Sequence, residues 1–380
     1  MLYLDHNAAS PLRPQALEAM LPWLRRGAVN PGSQHRAGQA ARAALEDARR
    51  SVADGLGGVA PGWIFTAGAT EACNLALQGL VQAGGRPLLL GATEHPAVAG
   101  TAAALAARGC VVRTLPVGAD GVLDLDALDA ALAAHPGAVL ALMLANNETG
   151  VLHPLREAAR RVHRGGGLCF GDLSQAVGKL AVDVGELGLD AAALSSQKFG
   201  GPQGSGLLWR RPGLPLQVQL FGGHQEQGLR PGTEAVAQAV GTAAALDQAV
   251  ADLPTQSPVW ERAQALLEAG LQRLHPRWQV HGQGAPRVPN TVCASLAGLD
   301  SDLLLIRLDQ LGLQASAGAA CAAGSREPSP VLAAMGVSPP GARSALRISL
   351  GPGQGEDEAH QALRLLGQAL EGFRQAGLLD

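Results

Sequence analysis

Short apolar runs alternate with alanine-rich helical stretches through most of the chain. The apolar runs fall at 63–66, 87–92, 110–115, 138–145, 167–171, 190–195 and 205–210. Helical stretches lie between them near 69–83, 96–108, 124–134 and 154–164. The alternation predicts βαβ units and hence an α/β fold, a large domain with a mostly parallel mixed sheet covered by helices on both faces. After Pro231-Gly232, a helical stretch at 233–252 runs into Leu253-Pro254-Thr255-Gln256-Ser257-Pro258, which reads as a boundary. Beyond it, helices at 259–274, 301–312 and 355–376 mix with strands at 288–296 and 345–350, an α+β pattern suited to a smaller domain. The Gly/Ala/Ser-rich stretch 315–326 is the one place where a mobile loop is expected.

Composition narrows the function class. With 380 residues, 47% of them hydrophobic, the chain can bury a large core and is expected to form two domains. The 29 Lys and Arg against 32 Asp and Glu give a net charge of −3, with no basic block, which argues against nucleic acid as a direct partner. The start, Met1-Leu2-Tyr3-Leu4-Asp5, has neither a positive leader nor an apolar signal core. The apolar stretch from Ala138 to Ala145 is far too short to span a bilayer. A soluble cytoplasmic protein without membrane contact is the expectation. The five cysteines (Cys73, Cys110, Cys169, Cys293, Cys321) form no CxxC pair and no metal-ligand spacing, which predicts free thiols in a reducing compartment and no metal site. Four sit in apolar or helical surroundings that suit buried thiols, whereas Cys321 sits in the small-residue stretch.

Lysine occurs only at Lys179 and Lys198, although arginine is plentiful. Lys198 follows the apolar run Ala191-Ala192-Ala193-Leu194 and precedes Phe199-Gly200-Gly201, so an amine stands at a strand end beside glycines that permit close approach. That placement suits a Schiff base to an aldehyde cofactor, while a residual surface charge is the bland alternative. Gly68-Ala69-Thr70-Glu71 opens a helix after a strand and offers backbone N–H groups and a hydroxyl to one phosphate, or is an ordinary cap. Asp172 ends the run Leu168-Cys169-Phe170-Gly171 with Gln175 just beyond. Asn146-Asn147-Glu148-Thr149-Gly150 ends another strand, and Glu94-His95-Pro96 follows a third. In an open α/β sheet these strand ends share one crevice. A helix cap, an Asn-rich turn and a surface histidine are the respective competing readings.

The same residues, in order, resemble the cysteine desulfurases, pyridoxal-phosphate enzymes of the class V aminotransferase group. Leu4-Asp5-His6-Asn7-Ala8-Ala9, Asn30-Pro31-Gly32-Ser33-Gln34-His35 and Arg230-Pro231-Gly232-Thr233 also look like family motifs. So do Ser316-Ala317-Gly318-Ala319-Ala320-Cys321 and Leu346-Arg347-Ile348-Ser349-Leu350-Gly351, so the likeness runs nearly end to end. It implies the type I fold of pyridoxal-phosphate-dependent transferases, with a large domain at 15–253 and a small one from 1–14 and 254–380. It also implies pyridoxal 5'-phosphate as cofactor and a homodimer.

The resemblance further implies roles. Lys198 would be the Schiff-base lysine and would move the substrate α-proton. Asp172 would pair with the pyridinium nitrogen, Gln175 would bond the ring hydroxyl oxygen, and His95 would lie over the ring as acid and base. Ala69, Thr70 and Ser195 would hold the phosphate, with Thr233 reaching it from the neighbouring subunit. Arg347 would clamp the substrate carboxylate. Asn147 would orient substrate and ring, helped by Asn7 and Asn30. L-cysteine would become L-alanine, its sulfur passing to Cys321 as a persulfide and then to acceptor proteins. The Ser316-x-Gly318-x-x-Cys321 form resembles the group serving iron–sulfur cluster assembly and tRNA thiolation rather than the short-loop group that needs an activator. One departure is Gln197, where the family usually has His before the lysine; a neutral amide can donate to a phosphate oxygen but carries no charge. Gly32-Ser33-Gln34 replaces the consecutive serines often found there. Lys179, after Gly178 on a connection, reads as structural or surface-exposed rather than catalytic. A related lyase or transaminase preferring another substrate such as selenocysteine, and a catalytically silent scaffold, are the rival readings.

Overall fold

The structure, a computed structural model, describes residues 1–27, 29–318 and 328–379. In chain order its elements are β1 (Leu2–Tyr3), α1 (Pro14–Arg25), α2 (Arg36–Leu56), β2 (Trp63–Thr66), α3 (Ala69–Gly84), β3 (Leu88–Gly91), α4 (Pro96–Ala107), β4 (Val112–Leu115), α5 (Leu125–Ala134) and β5 (Val139–Met143). There follow α6 (Leu155–Arg164), β6 (Leu168–Asp172), β7 (Ala191–Ser195), β8 (Gly206–Arg210), α7 (Val236–Leu274), β9 (Trp278–Val280) and β10 (Thr291–Leu296). The last are α8 (Ser301–Gln310), β11 (Leu313–Gln314), α9 (Pro330–Ala334), α10 (Pro339–Arg343), β12 (Ala345–Ser349) and α11 (Glu356–Gln375).

Seven strands form one sheet in the order β2-β8-β7-β6-β5-β3-β4. Only β8 is antiparallel to its neighbours, so the sheet is mixed and mostly parallel. Every residue of β5 and β7 is buried, because helices cover both faces. The side chains divide with period two: Leu140 and Leu142 join the core beneath α2, α5 and α6, while Val139 and Ala141 join the core beneath α3 and α4. The sheet and its helices thus match the pattern the apolar runs predict.

A second core gathers Leu2, Leu4, Trp260, Leu267, Ala294, Ile348 and Leu366 around the antiparallel sheet β12-β10-β9 and the parallel pair β1-β11. The break expected at 253–258 is not there. Helix α7 runs unbroken from Val236 to Leu274 with Pro254 and Pro258 inside it. Between Ala249 and Trp260 no α7 residue is buried, whereas both flanking halves are anchored, one in each core. Packing at the two ends outweighs the local cost of the prolines, and both fall where the helix crosses between cores.

Candidate active site

The six strands that run in one direction end along one edge of the sheet, and a cavity of about 500 Å³ opens there. At one end of it lies the N-terminus of α3. Its cap residue Gly68 has no side chain to occupy the first N–H groups, and Ala69 and Thr70 line the cavity. The start of β8 comes so close that a Cβ on Gly206 would sit 2.6 Å from the Gly68 Cα, so only glycine fits. Glu71 folds back to accept the Ala67 N–H at 2.6 Å and pairs with Arg230 at 3.0 Å, which fixes this turn.

Beside it, Ser195 ends β7 and its hydroxyl donates to Gln197 Oε1 at 2.6 Å. The acceptor end of the Gln197 amide is therefore engaged, leaving its NH2 end as the donor of a cavity-lining residue. Lys198 closes the turn of 3₁₀ helix Ser196–Lys198 after β7, and its Nζ donates to the main-chain oxygens of Asn7 at 2.8 Å and Ala8 at 2.7 Å.

Asp172, the last residue of β6, is buried in the cavity wall, and its Oδ1 accepts the Ser174 N–H at 2.9 Å. His95 both caps α4 and lines the cavity. Its Nδ1 accepts the Ala97 N–H at 3.1 Å, so the neutral ring carries its proton on Nε2. The asparagine turn divides its work. Asn146 Oδ1 accepts from the Glu148 and Thr149 N–H groups, both at 2.9 Å, and so makes the turn that presents Asn147 to the cavity.

Arg347, on β12, brings the second core to the same cavity. Its guanidinium donates to Asn147 O at 2.9 Å and to Asp5 Oδ1 at 2.7 Å, while its buried Nε has no partner among the described residues. Sequence reasoning gave Asp5 no role in holding Arg347: the two are 342 positions apart, and no local pattern couples them. Asn30 and Thr233 are not brought to this cavity. Asn30 is exposed with its Oδ1 accepting the Gly32 N–H at 2.8 Å, and Thr233 is exposed. Cys321 lies outside the described residues. Cys73, Cys169 and Cys293 are fully buried and burial raises their thiol pKa values, that of Cys293 to about 12. Among the described residues no cluster of His, Cys, Asp or Glu could hold a metal ion, and no helix is long and apolar enough to cross a membrane.

Glu94 supports the edge from behind. Its Oε1 accepts the Met143 N–H at 2.7 Å, tying the end of β3 to β5, and its Oε2 is buried without a partner among the described residues. Burial, opposed by the Met143 N–H and reinforced by Asp172, holds its pKa well above the ordinary 4.5. The folded state therefore keeps this proton where the unfolded chain has lost it, and stability falls as pH rises above about 4.5. Within that window the slope from this one group is about 1.4 kcal/mol per pH unit. Glu94→Gln keeps the acceptor and removes the titration. Its unfolding free energy, measured by urea titration from pH 5 to 8, is expected to be less pH-dependent than that of the unaltered protein; equal dependence would refute the assignment.

The family model for class-V aminotransferases matches residues 2–361. A cysteine desulfurase of Cereibacter sphaeroides is 39% identical over 354 residues, covering 92% of this chain and 90% of that protein. The chain belongs to the cysteine desulfurases of the class-V aminotransferase family. A solved NifS-like protein superposes with a TM-score of 0.91 at 30% identity, covering 98% of this chain and 99% of its own. A structure described as SspA in complex with cysteine gives a TM-score of 0.80 at 28% identity over 93% of this chain and 99% of its own. The fold is thus the one these pyridoxal-phosphate-dependent enzymes share, and this cysteine desulfurase is an enzyme of sulfur transfer.

Proposed function

We propose that this cavity binds pyridoxal 5'-phosphate and L-cysteine, and that the chain converts L-cysteine to L-alanine while Cys321 takes the sulfur. The observation that carries this reading is the meeting of Lys198, Asp172 and the α3 N-terminus in one cavity. The donor set matches the cofactor's three demands. A phosphate needs N–H and O–H donors, which Ala69, Thr70 and the Gln197 amide supply and which Ser195 would join by turning its hydroxyl from Gln197; a pyridinium needs a buried acceptor, Asp172; an aldehyde needs an amine, Lys198. When bound, this cofactor acts as an electron sink for charge that develops at the substrate α-carbon.

The chain's own residues do the rest. Asp172 would keep a proton on the ring nitrogen, Gln175 would donate to the ring oxygen, and His95, with its proton on Nε2, would serve as acid and base beside the ring. Lys198 moves the α-proton, and Arg347, aligned by Asp5 and Asn147, grips the substrate carboxylate with help from Asn7. The Cys321 thiolate attacks the substrate sulfur: an S–S bond forms, the Cβ–S bond breaks, and Cβ takes up a proton. Two thiol sulfurs are oxidised to a persulfide as that carbon becomes the methyl of alanine. Ser316, five residues before Cys321 in the sequence, bridges Arg347 through two main-chain hydrogen bonds at 3.2 and 2.7 Å. The persulfide would pass to acceptor proteins of iron–sulfur assembly or tRNA thiolation in the cytoplasm.

Asn30 and Thr233, exposed here, fit a homodimer in which a second copy supplies them to the partner's cavity. The two cores support a large domain at 15–253 and a small one from 1–14 and 254–380. The test is to supply L-cysteine to the pure protein and measure alanine and sulfide together. Equal yields in the presence of a reductant support the reading, and alanine without sulfide defeats it.

Gln197 has a measurable consequence. An imidazolium adds charge to the phosphate contact that an amide cannot, so Gln197→His is expected to hold the cofactor several-fold more tightly. Loss of visible absorbance during dialysis checks this, and identical loss from both proteins overturns it.

A further inference from the structure

Lys179 stands behind the cavity rather than in its lining. It lies in the connection after β6 and is 4% exposed. Burial, with Lys198 and Arg347 nearby, pushes its pKa well below the lysine range, and among the described residues no carboxylate is paired with it. A buried amine without an acidic partner is costly, so its remaining contacts must explain it. Its Nζ donates to Asn7 Oδ1 at 2.7 Å and to Gln175 Oε1. Charged or neutral, it has the two N–H groups these oxygens require.

Both recipients line the cavity. An amide can present either its oxygen or its NH2 group, and its partners decide which. With Gln175 Oε1 held by Lys179, its Nε2 turns the other way and donates to the Asn7 main-chain oxygen at 2.9 Å, leaving its second N–H for the cavity. That same main-chain oxygen receives Lys198 Nζ at 2.8 Å. With Asn7 Oδ1 likewise held, Asn7 Nδ2 donates to Asn147 O at 3.2 Å and Thr291 Oγ1 at 3.0 Å. One amine thus sets the orientation of the Gln175 amide, shares that of Asn7 with Asn290 Nδ2, and steadies the turn on which the second lysine rests.

We infer that Lys179 is a positioning residue, which fixes Gln175 with its N–H edge toward the cofactor and holds the Asn7 turn against Lys198. The inference rests on the proposed binding of pyridoxal 5'-phosphate in this cavity. Without Lys179 the buried Gln175 Oε1 loses its donor, Asn7 Oδ1 keeps only the longer bond from Asn290 Nδ2 at 3.4 Å, and the Gln175 amide is free to reverse, a loss of roughly tenfold in cofactor affinity.

The experiment is equilibrium binding of pyridoxal 5'-phosphate to the full-length apoprotein, with the absorption spectrum of each complex, for the unaltered protein, Lys179→Met, Gln175→Met and the double variant. Lys179→Met is expected to bind roughly tenfold more weakly with a shifted absorption maximum, and to add little once Gln175 is Met. The same loss in both backgrounds marks a merely structural role and overturns the inference. So does an unchanged affinity and spectrum in Lys179→Met while the unaltered protein binds normally. No binding by the unaltered protein defeats the cofactor reading instead. Should circular dichroism show Lys179→Met unfolded, Lys179→Gln, whose amide still donates to one of the two oxygens, takes its place and is expected to lose several-fold rather than tenfold. Affinity equal to that of the unaltered protein overturns the inference there too.

Discussion

Lys198→Ala is expected to lower alanine and sulfide production from L-cysteine by roughly 10⁴-fold or more, with the protein still folded. Two roles are removed together, covalent capture of an aldehyde and movement of the α-proton, and each alone is worth orders of magnitude. The structural cost is small by comparison. Lys198 is half-buried, and truncation forfeits its two hydrogen bonds to the Asn7 and Ala8 oxygens, roughly 1–3 kcal/mol in all. Lys179 cannot substitute, because its amine is held behind the wall by Asn7 and Gln175. Nor should Lys198→Arg restore turnover, since a guanidinium stays protonated and is no nucleophile. The purified variant should lack the visible absorbance of the unaltered protein, while Lys179→Met, though weaker in binding, should regain it with excess cofactor. Turnover within tenfold of normal in Lys198→Ala would place the chemistry elsewhere.

The sheet was legible because its strands are mostly runs of apolar residues, the edge strand β4 with Arg113 and Thr114 being the exception. Strand ends then carried their polar residues to one edge by topology alone, which is why Thr70, His95, Asn147, Asp172 and Lys198 could be grouped before any distance was known. What escaped the sequence depends on contacts between distant positions. Pro254 and Pro258 read as a break because local propensity says so, yet the helix is held at both ends by different cores. Lys179 reads as surface-exposed or structural because nothing nearby in sequence reports burial. The cover is Asn7, 172 positions away, and the surface reading falls. The Arg347–Asp5 pair is invisible for the same reason. Of the small-residue stretch 315–326, read as a mobile loop, residues 319–326 with Cys321 lie outside the described residues.

Cys321→Ser separates a desulfurase from its rivals on this scaffold. A serine oxygen cannot form the S–S bond that carries sulfur off the substrate, so alanine and sulfide production should fall by roughly 10³-fold or more. The steps before sulfur attack depend on Lys198, Asp172 and Arg347 and should survive: adding L-cysteine should still change the visible spectrum, and cofactor affinity should be unchanged. Three of the other thiols offer no bypass. Cys73, Cys169 and Cys293 are buried, their pKa values raised by burial, which disfavours the thiolate that attacks. A transaminase would keep its rate, because amino-group transfer needs no protein thiol. A lyase that expels sulfide directly would also keep it. Normal alanine production by Cys321→Ser, with the spectral change intact, would therefore remove the persulfide from the mechanism while leaving Lys198 and the cofactor site standing.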